Sequence, residues 1–510
     1  MMIQIGLTKD AYEYEIRGLL MAFYPGVLIQ AEKEVEEKSW EETAGIWEDK
    51  SEENSRQEEN KTELRLGFFY PEEEGNGRIV LWEKSGRRQE ADFPFHSLRD
   101  KETKTNLKNT LYALLSRQTG KTLPWGTLTG IRPTKIPMAL LEEGKSDADI
   151  LYHMEKELLC SREKSRLSLE IAKREREILK NIDYENGYSL YIGIPFCPTT
   201  CLYCSFTSYP IISWEKRMED YIQALFREIA YTAEYFSDKK LNTIYFGGGT
   251  PTTLSAQQLK RVLFAVEKNF DLSCLREYTV EAGRPDTVTA EKLNTLKAAG
   301  VGRISINPQT FQDSVLQAIG RRHTSAQTLA AYETAVKCGF DDINMDFIAG
   351  LPKDTLDSFQ NSMQTALALQ PSNITVHTLC LKTGAFMTAN GMPDKNLAAQ
   401  MVDYSRRVLS GAGYRPYYMY RQGKSVGNLE NTGWCKPGRD CLYNVFMMDE
   451  THTVLAVGAG AVTRLKNPQN GKIERIYNYK YPYEYIGHFD EILRRKQKIS
   501  DFYKKILNNA

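Results

Sequence analysis

Between residues 187 and 380, short β-like runs alternate with helix-length amphipathic segments, and this alternation limits the fold more than any other feature of the chain. The runs are SLYIGI (189–194), NTIYF (242–246), EYTVEA (277–282), RISIN (303–307), DINMDFI (342–348) and NITVHTL (373–379). Strands joined through helices of this length run parallel, because each connection must cross over a face of the sheet. Six such units predict an α/β fold, either an incomplete (β/α) barrel or an open parallel sheet. In both, chemistry gathers at the carboxyl ends of the strands. The polar and glycine-rich residues fall there: Cys197 follows the first run, Gly247–Gly249 the second, Glu281 ends the third, Gln309 follows the fourth and Asp346 lies near the end of the fifth.

At 510 residues the chain is long enough for two or three domains. Residues 1–120 read as an α+β domain with a hairpin, LRLGFFY (64–70) and RIVLWEK (78–84) around a turn that ends Gly75-Asn76-Gly77. Within it, residues 32–63 carry 13 acids against 5 bases, which predicts a disordered or solvated insertion. Residues 121–186 read as a helical connector, with Ser161 as the N-cap of a helix to Lys180. Residues 381–510, with GYRPYYMYRQ (413–422) and GAGA (458–461), read as an appended domain that shapes a substrate pocket.

Lys+Arg and Asp+Glu balance at 66 each, so nucleic acid is not the expected partner. The start lacks a basic segment followed by an apolar one, and no run of 18 uncharged apolar residues occurs, so neither export nor a membrane span is expected. Nine cysteines, an odd number, argue against a disulfide framework and for a reducing cytoplasm in which thiolates serve metals or catalysis. The histidines stand singly at 96, 153, 323, 377, 452 and 488, which disfavours a His-built metal site.

Cys197-Pro-Thr-Thr-Cys201-Leu-Tyr-Cys204 is a CxxxCxxC loop directly after an apolar strand. Three thiolates so close in sequence suit three irons of a cubane and leave the fourth iron open. Structural zinc is the alternative, but a closed zinc site wants four ligands and no histidine lies near. Gly247-Gly248-Gly249-Thr250-Pro251 is either a tight strand-to-helix turn or a backbone cradle for a ligand. Glu281 either accepts hydrogen bonds from a ligand hydroxyl or pairs with Arg284. Arg321 lies in a Gly-Arg-Arg-His run that otherwise reads as a solvated face.

The spacing after the first strand of a βα barrel resembles the radical S-adenosylmethionine (SAM) superfamily. YIGIPFCPTTCLYC, YFGGGTPTTL, the Glu281 strand, SINPQTFQDSVLQAIGRRH and INMDFIAGLP together resemble the oxygen-independent coproporphyrinogen III oxidase family (HemN-like), which includes HemW-type heme chaperones. LTGIRPTK, YRQ and GAGA are similar to the HemZ-type branch. The resemblance implies a partial (β/α)6 radical SAM barrel with an N-terminal α+β domain and a C-terminal α+β extension. It implies a [4Fe–4S] cluster on Cys197, Cys201 and Cys204. Tyr191, Gly248, Gly249, Thr250, Glu281, Gln309, Arg321 and Asp346 match SAM-pocket positions, with Tyr191 and Arg321 also candidates for a catalytic role. The implied reaction converts two propionates of coproporphyrinogen III to vinyl groups, fed by a reduced flavodoxin- or ferredoxin-type donor. Phe206 stands where the oxidases carry a fourth cysteine, and Tyr443 where the chaperones carry a heme histidine. Arg303, Arg321, Arg322, Arg415 and Arg421 are candidate partners for substrate carboxylates.

Overall fold

In the computed structural model, residues 1–46, 62–380, 395–423 and 425–508 are described. The chain divides into two compact units, Met1–Glu170 with Arg421–Leu429, and Ile171–Tyr420 with Glu430–Ala510.

The first unit is built on a mixed five-stranded sheet. Its strands are β1 (Met2–Leu7), β2 (Leu28–Lys33), β3 (Thr62–Phe69), β4 (Gly75–Glu83) and β5 (Arg88–Phe95), in the spatial order β2-β1-β3-β4-β5. β3 and β4 form the expected hairpin, with Leu66 paired to Leu81. One face buries Ile3, Ile5, Leu7, Leu66 and Phe68 against Leu19, Leu20, Leu111 and Leu115 of helices Glu13–Phe23 and Lys101–Thr119. The second helix starts where the Asp100 carboxylate accepts from Thr103 N at 2.7 Å and stops at Gly120, which has φ +66°.

The other face corrects the reading of the acidic segment. Residues 32–46 are structured: β2 runs through Lys33, and Glu37–Ala44 is a helix that lays Trp40 on Phe69, Val80 and Trp82. Gly6 leaves room for the indole, since a Cβ there would stand 2.5 Å from the Trp40 ring. Trp40 and Ala44 hold down a short helix whose other residues are mostly charged or polar, so the composition hid it. Residues 47–61 lie outside the described residues.

The second unit holds an eleven-stranded sheet and a two-stranded one. Its strands are β6 (Gly187–Ile194), β7 (Phe196–Cys197), β8 (Tyr209–Pro210), β9 (Lys240–Gly248), β10 (Glu277–Glu281), β11 (Arg303–Ser305), β12 (Asp342–Ala349), β13 (Asn373–Thr378), β14 (Arg415–Arg421), β15 (Glu430–Cys435), β16 (Thr453–Val457), β17 (Val462–Lys466) and β18 (Ile473–Tyr477). The large sheet has the order β14-β15-β13-β12-β11-β10-β9-β6-β16-β17-β18. All six expected runs are strands, parallel from β6 through β13, and the order is open, as a partial barrel requires.

Residues 381–510 do not form the separate appended domain that texture predicted. β16 pairs parallel with β6, with Ala456 against Tyr191, and β15 pairs antiparallel with β13, with Trp434 against Ile374. The C-terminal region thus extends the barrel sheet at both edges. The expected 121–186 connector is also divided, its residues through Glu170 grouping with the first unit.

Alternation along the barrel strands sets the two faces of the sheet. Leu190, Ile192, Ile244, Phe246, Val280, Ile304, Ile343, Met345, Ile374 and Val376 are buried on the side of the connecting helices. The other parity is polar and faces the lumen: Ser189, Tyr191, Thr243, Tyr245, Glu277, Glu281, Arg303, Asn344, Asp346, Thr375 and His377, joined by hydrogen bonds such as Ser189–Thr243, Tyr245–Glu281 and Thr375–Asn344. Helices Ala256–Asn269, Ser325–Lys337 and Leu356–Leu369 start at capping boxes on Ser255, Thr324 and Thr355.

A short helix, Leu442–Asp449, closes the amino end of the lumen. The Glu277 carboxylate accepts from its first two N–H groups, Leu442 N at 2.8 Å and Tyr443 N at 3.2 Å. Arg303 donates to the carbonyls of Arg439 and Asp440, both at 3.2 Å, and to the Asn373 side chain. Arg303 is therefore part of the barrel floor and not a partner for a substrate carboxylate.

Candidate functional site

The cysteine loop leaves the carboxyl end of β6. β7 and β8 pair across its base, and Tyr209 N donates to Pro195 O at 2.8 Å. Its far side is tied down by Leu202 N to Ile319 O (3.0 Å) and by Arg284, which donates to Thr199 O and Oγ1 at 3.1 Å each. Arg284 is itself held in bidentate fashion by Asp286 (3.0 and 2.8 Å). This settles one alternative left by the sequence: the carboxylate partner of Arg284 is Asp286, not Glu281. Cys204 N donates to Cys201 O at 3.1 Å, and the Cys197 thiol lies 3.4 Å from Thr250 Oγ1.

Burial pushes the Cys197 thiol up to about 11 and the Cys204 thiol in the same direction, with the neighbouring cysteines adding to both. The cysteines of this loop stand close enough to act on one another, as ligands of a shared metal centre must. Closed zinc coordination wants four ligands, and the loop brings three. A cubane sets its thiolates on three separate irons, so the donor set on this loop fits a [4Fe–4S] cluster.

The glycine segment after β9 lies against the chain leading into that loop. Gly249 N donates to Ile194 O at 2.8 Å and Thr250 N to Phe196 O at 2.7 Å. Gly248 has φ +107°, and a Cβ on Gly249 would stand 2.6 Å from Phe196 O. Both glycines are thus required by the turn and by the close approach of two backbones, whatever else they meet.

The lumen above the floor is lined by aromatic rings and carboxyls. Tyr191, Tyr245 and Tyr443 stack, with Tyr245 and Tyr443 centroids 4.4 Å apart and Tyr191 6.3 Å from each. Tyr245 donates to Glu281 Oε1 at 2.6 Å. Burial raises Glu281 from its ordinary 4.5 to about 8; Tyr245 opposes this and the Asp346 charge adds to it. Burial also acts upward on Asp346, but bonding from His377, Asn344 and Thr375 outweighs it and holds this carboxyl below its ordinary value. Two lumen acids are thereby driven apart, one toward the neutral form and one toward the anion.

Gln309 and Arg321 sit at the carboxyl ends of the strands. Gln309 is buried with φ +65°, its backbone bridging to Asp346 and Ile348. Arg321 donates to Asn307 O at 2.7 Å and lies against Cys201 and Tyr203 of the cysteine loop. Gln309 Oε1 and Arg321 Nε are buried without a hydrogen-bond partner. Native proteins satisfy nearly all such groups, so these atoms fit a polar ligand such as SAM. The Gly-Arg-Arg-His run is not a solvated face as a whole, for Arg321 and His323 are buried and only Arg322 is exposed.

Arg415 is exposed, and Arg421 belongs to the first unit, where it donates to Leu128 O and stacks on Trp125. Sequence reasoning passed over Tyr245, Asn307 and His377. For Tyr245 the signal is parity, since it shares the alternation of Gly247, which was singled out; Asn307 lies two residues before Gln309 in the loop after β11, and His377 alternates with Thr375 on β13. Tyr443 had no such signal, since it enters on the floor helix.

A three-cysteine loop on the first strand of an open parallel barrel, with polar groups clustered at the carboxyl ends, defines a radical SAM protein. The model of the radical SAM superfamily matches residues 191–366. The oxygen-independent coproporphyrinogen-III oxidase-like protein HemZ of Bacillus subtilis is 37% identical over 81% of this chain and 85% of its own length. The heme chaperone HemW of Lactococcus lactis is 32% identical over 57% of this chain and 73% of its own. The crystal structure of HemN from Escherichia coli, a coproporphyrinogen III oxidase, shares the fold with a TM-score of 0.50 and 23% identity, over 62% of this chain and 71% of that one. The chain belongs to the HemN/HemW-like family of radical SAM proteins, in its HemZ branch. Its cofactors are accordingly a [4Fe–4S] cluster and SAM. Among the described residues no helix is long and apolar enough to cross a membrane.

Proposed function

We propose that the chain catalyses the oxygen-independent oxidative decarboxylation of coproporphyrinogen III, converting two propionates to vinyl groups to give protoporphyrinogen IX. The observation that carries this reading is the similarity to the HemZ oxidase-like protein over four-fifths of the chain, beyond the barrel alone. Cys197, Cys201 and Cys204 hold the cluster, and Tyr191, Gly248, Gly249, Thr250, Glu281, Gln309, Arg321 and Asp346 line the SAM pocket. When bound, cluster and SAM would supply a deoxyadenosyl radical to remove a hydrogen atom from the propionate β-carbon; the substrate radical would then lose CO₂ and pass one electron to a one-electron acceptor, leaving the vinyl group. A flavodoxin- or ferredoxin-type protein is the donor of the electron that starts the cycle.

The residues of the chain position and exclude. Arg321, anchored on Asn307, offers its guanidinium to a carboxylate. Glu281, with its pKa near 8, remains largely protonated at neutral pH and hydrogen-bonds without adding charge. Asp346 remains ionised and matches a cationic ligand. The Tyr191–Tyr245–Tyr443 stack walls the inner end of the lumen and keeps water from it.

Heme carriage is the second reading. The similarity to heme chaperones and the presence of Phe206 in place of a fourth cysteine favour it. Against it stands Tyr443, buried in the ring stack at the position of the chaperones' histidine. The test is an anaerobic incubation of reconstituted, reduced protein with SAM and coproporphyrinogen III, followed by mass spectrometry. Tri- and dicarboxylic porphyrin products are expected. Unchanged porphyrin, together with a Soret band on adding hemin, would transfer the assignment to heme carriage.

A further inference from the structure

His377 shares the lumen-facing alternation of β13, and sequence reasoning assigned it no role. It stands on β13 beside Asp346 on β12. Its Nε2 lies 3.7 Å from Asp346 Oδ2, and Tyr420 of β14 reaches its other nitrogen, Nδ1, at 3.4 Å. Ring contact with Tyr420, centroids 6.4 Å apart at 63°, fixes the plane of the imidazole. With the Tyr420 hydroxyl as donor to Nδ1, Nε2 is the nitrogen that carries a proton toward the carboxylate. Asn344 Nδ2 donates to the other oxygen, Oδ1, at 2.7 Å.

We propose that His377 is a positioning residue for the SAM pocket: oriented by Tyr420, it directs Nε2–H at Asp346 and holds that carboxylate in place as the pocket's anionic acceptor. This rests on the reading of Asp346 as a pocket residue and deepens it. The arrangement is that of a carboxylate–imidazole pair in which a third group selects the tautomer. Burial favours the neutral form of Asp346, and His377 is the largest of the influences that oppose it, so without His377 the carboxylate holds its charge less firmly. Asp346 then loses both orientation and part of its negative charge.

The test is SAM binding to the cluster-loaded protein, read by equilibrium dialysis and by the change in the electron paramagnetic resonance of the reduced cluster. His377→Phe keeps a ring and removes the donor; His377→Gln keeps an amide N–H near the Nε2 position. Loss of this 3.7 Å imidazole–carboxylate contact predicts about tenfold weaker binding for His377→Phe, with the glutamine variant within about threefold of the parent. Iron content and circular dichroism confirm that both variants fold. If His377→Phe binds SAM like the parent while Asp346→Asn binds it weakly, the positioning role is overturned and the pocket assignment survives. If Asp346→Asn also binds normally, both fall together.

Discussion

At the residue scale, the lumen carboxyls carry the sharpest consequences. Glu281 is protonated more readily in the folded chain than in the unfolded one, with a folded pKa of about 8 against an ordinary 4.5. The sign follows from proton counting: its contribution is fully present below about pH 4.5 and is lost as pH rises through about 8. Glu281→Gln is therefore expected to flatten the fall in melting temperature between pH 5 and pH 8, as anaerobic thermal melts of both proteins will show. Arg303 makes a second case. As a floor residue it stabilises the fold, so Arg303→Leu is expected to cost about 3 kcal/mol in urea titrations, because Glu277 is left buried with its neighbouring charge gone. An effect confined to substrate affinity, with stability unchanged, would return Arg303 to the list of carboxylate partners. The sequence singled out Arg303 through its place on a strand; its partners on residues 439–440 lie more than a hundred positions away and leave no local trace.

At the element scale, the glycine segment and the cysteine loop behave as one piece. A Cβ on Gly249 meets the backbone of Phe196, the residue before Cys197, so Gly249→Ala cannot be absorbed by a side-chain shift. A loss of about 1–3 kcal/mol is expected, together with reduced iron per chain after reconstitution. Full iron occupancy in that variant would show that the two segments are not mechanically linked. The strands themselves were legible, since apolar and polar residues alternate on β6, β9, β10 and β12, and parity alone assigns a lumen face. The helix Glu37–Ala44 was not, because its one large buried side chain, Trp40, lies among acids that mask it. For the glycines the sequence left a tight turn and a ligand cradle both open; backbone packing demands Gly248 and Gly249 in either case.

At the scale of the whole molecule, the C-terminal region is part of the barrel. Besides supplying β15 and β16, it seats the helix Phe489–Asn508 through Lys496, which is fully buried and pairs with Glu228 at 3.2 Å while also donating to Thr463 Oγ1 at 2.9 Å. Glu228 in turn accepts from Gly458 N (2.9 Å), Asn478 Nδ2 (2.8 Å) and Tyr485 OH (2.6 Å), binding the GAGA turn to the same centre. Removing one partner of a buried pair leaves the other uncompensated, so Lys496→Met is expected to lower stability by about 3–5 kcal/mol in urea titrations. A change below about 1 kcal/mol would mean the helix contributes little to the barrel. None of this was visible as an appended texture, because long-range strand pairing carries no local sequence mark. The cluster was legible because its three cysteines lie within eight residues after a strand, and the family was legible by resemblance, through segments spread from the first barrel strand to INMDFIAGLP.

The central claim, that a radical generated in this barrel attacks a porphyrinogen propionate, is tested most directly by isotope transfer. Coproporphyrinogen III deuterated at the propionate β-carbons is turned over anaerobically with the reduced, cluster-loaded protein and SAM, and the 5′-deoxyadenosine is weighed by mass spectrometry. The account predicts one deuterium in the recovered deoxyadenosine and vinyl groups in the porphyrin. Deoxyadenosine without deuterium, alongside unchanged tetracarboxylic porphyrin, would contradict it.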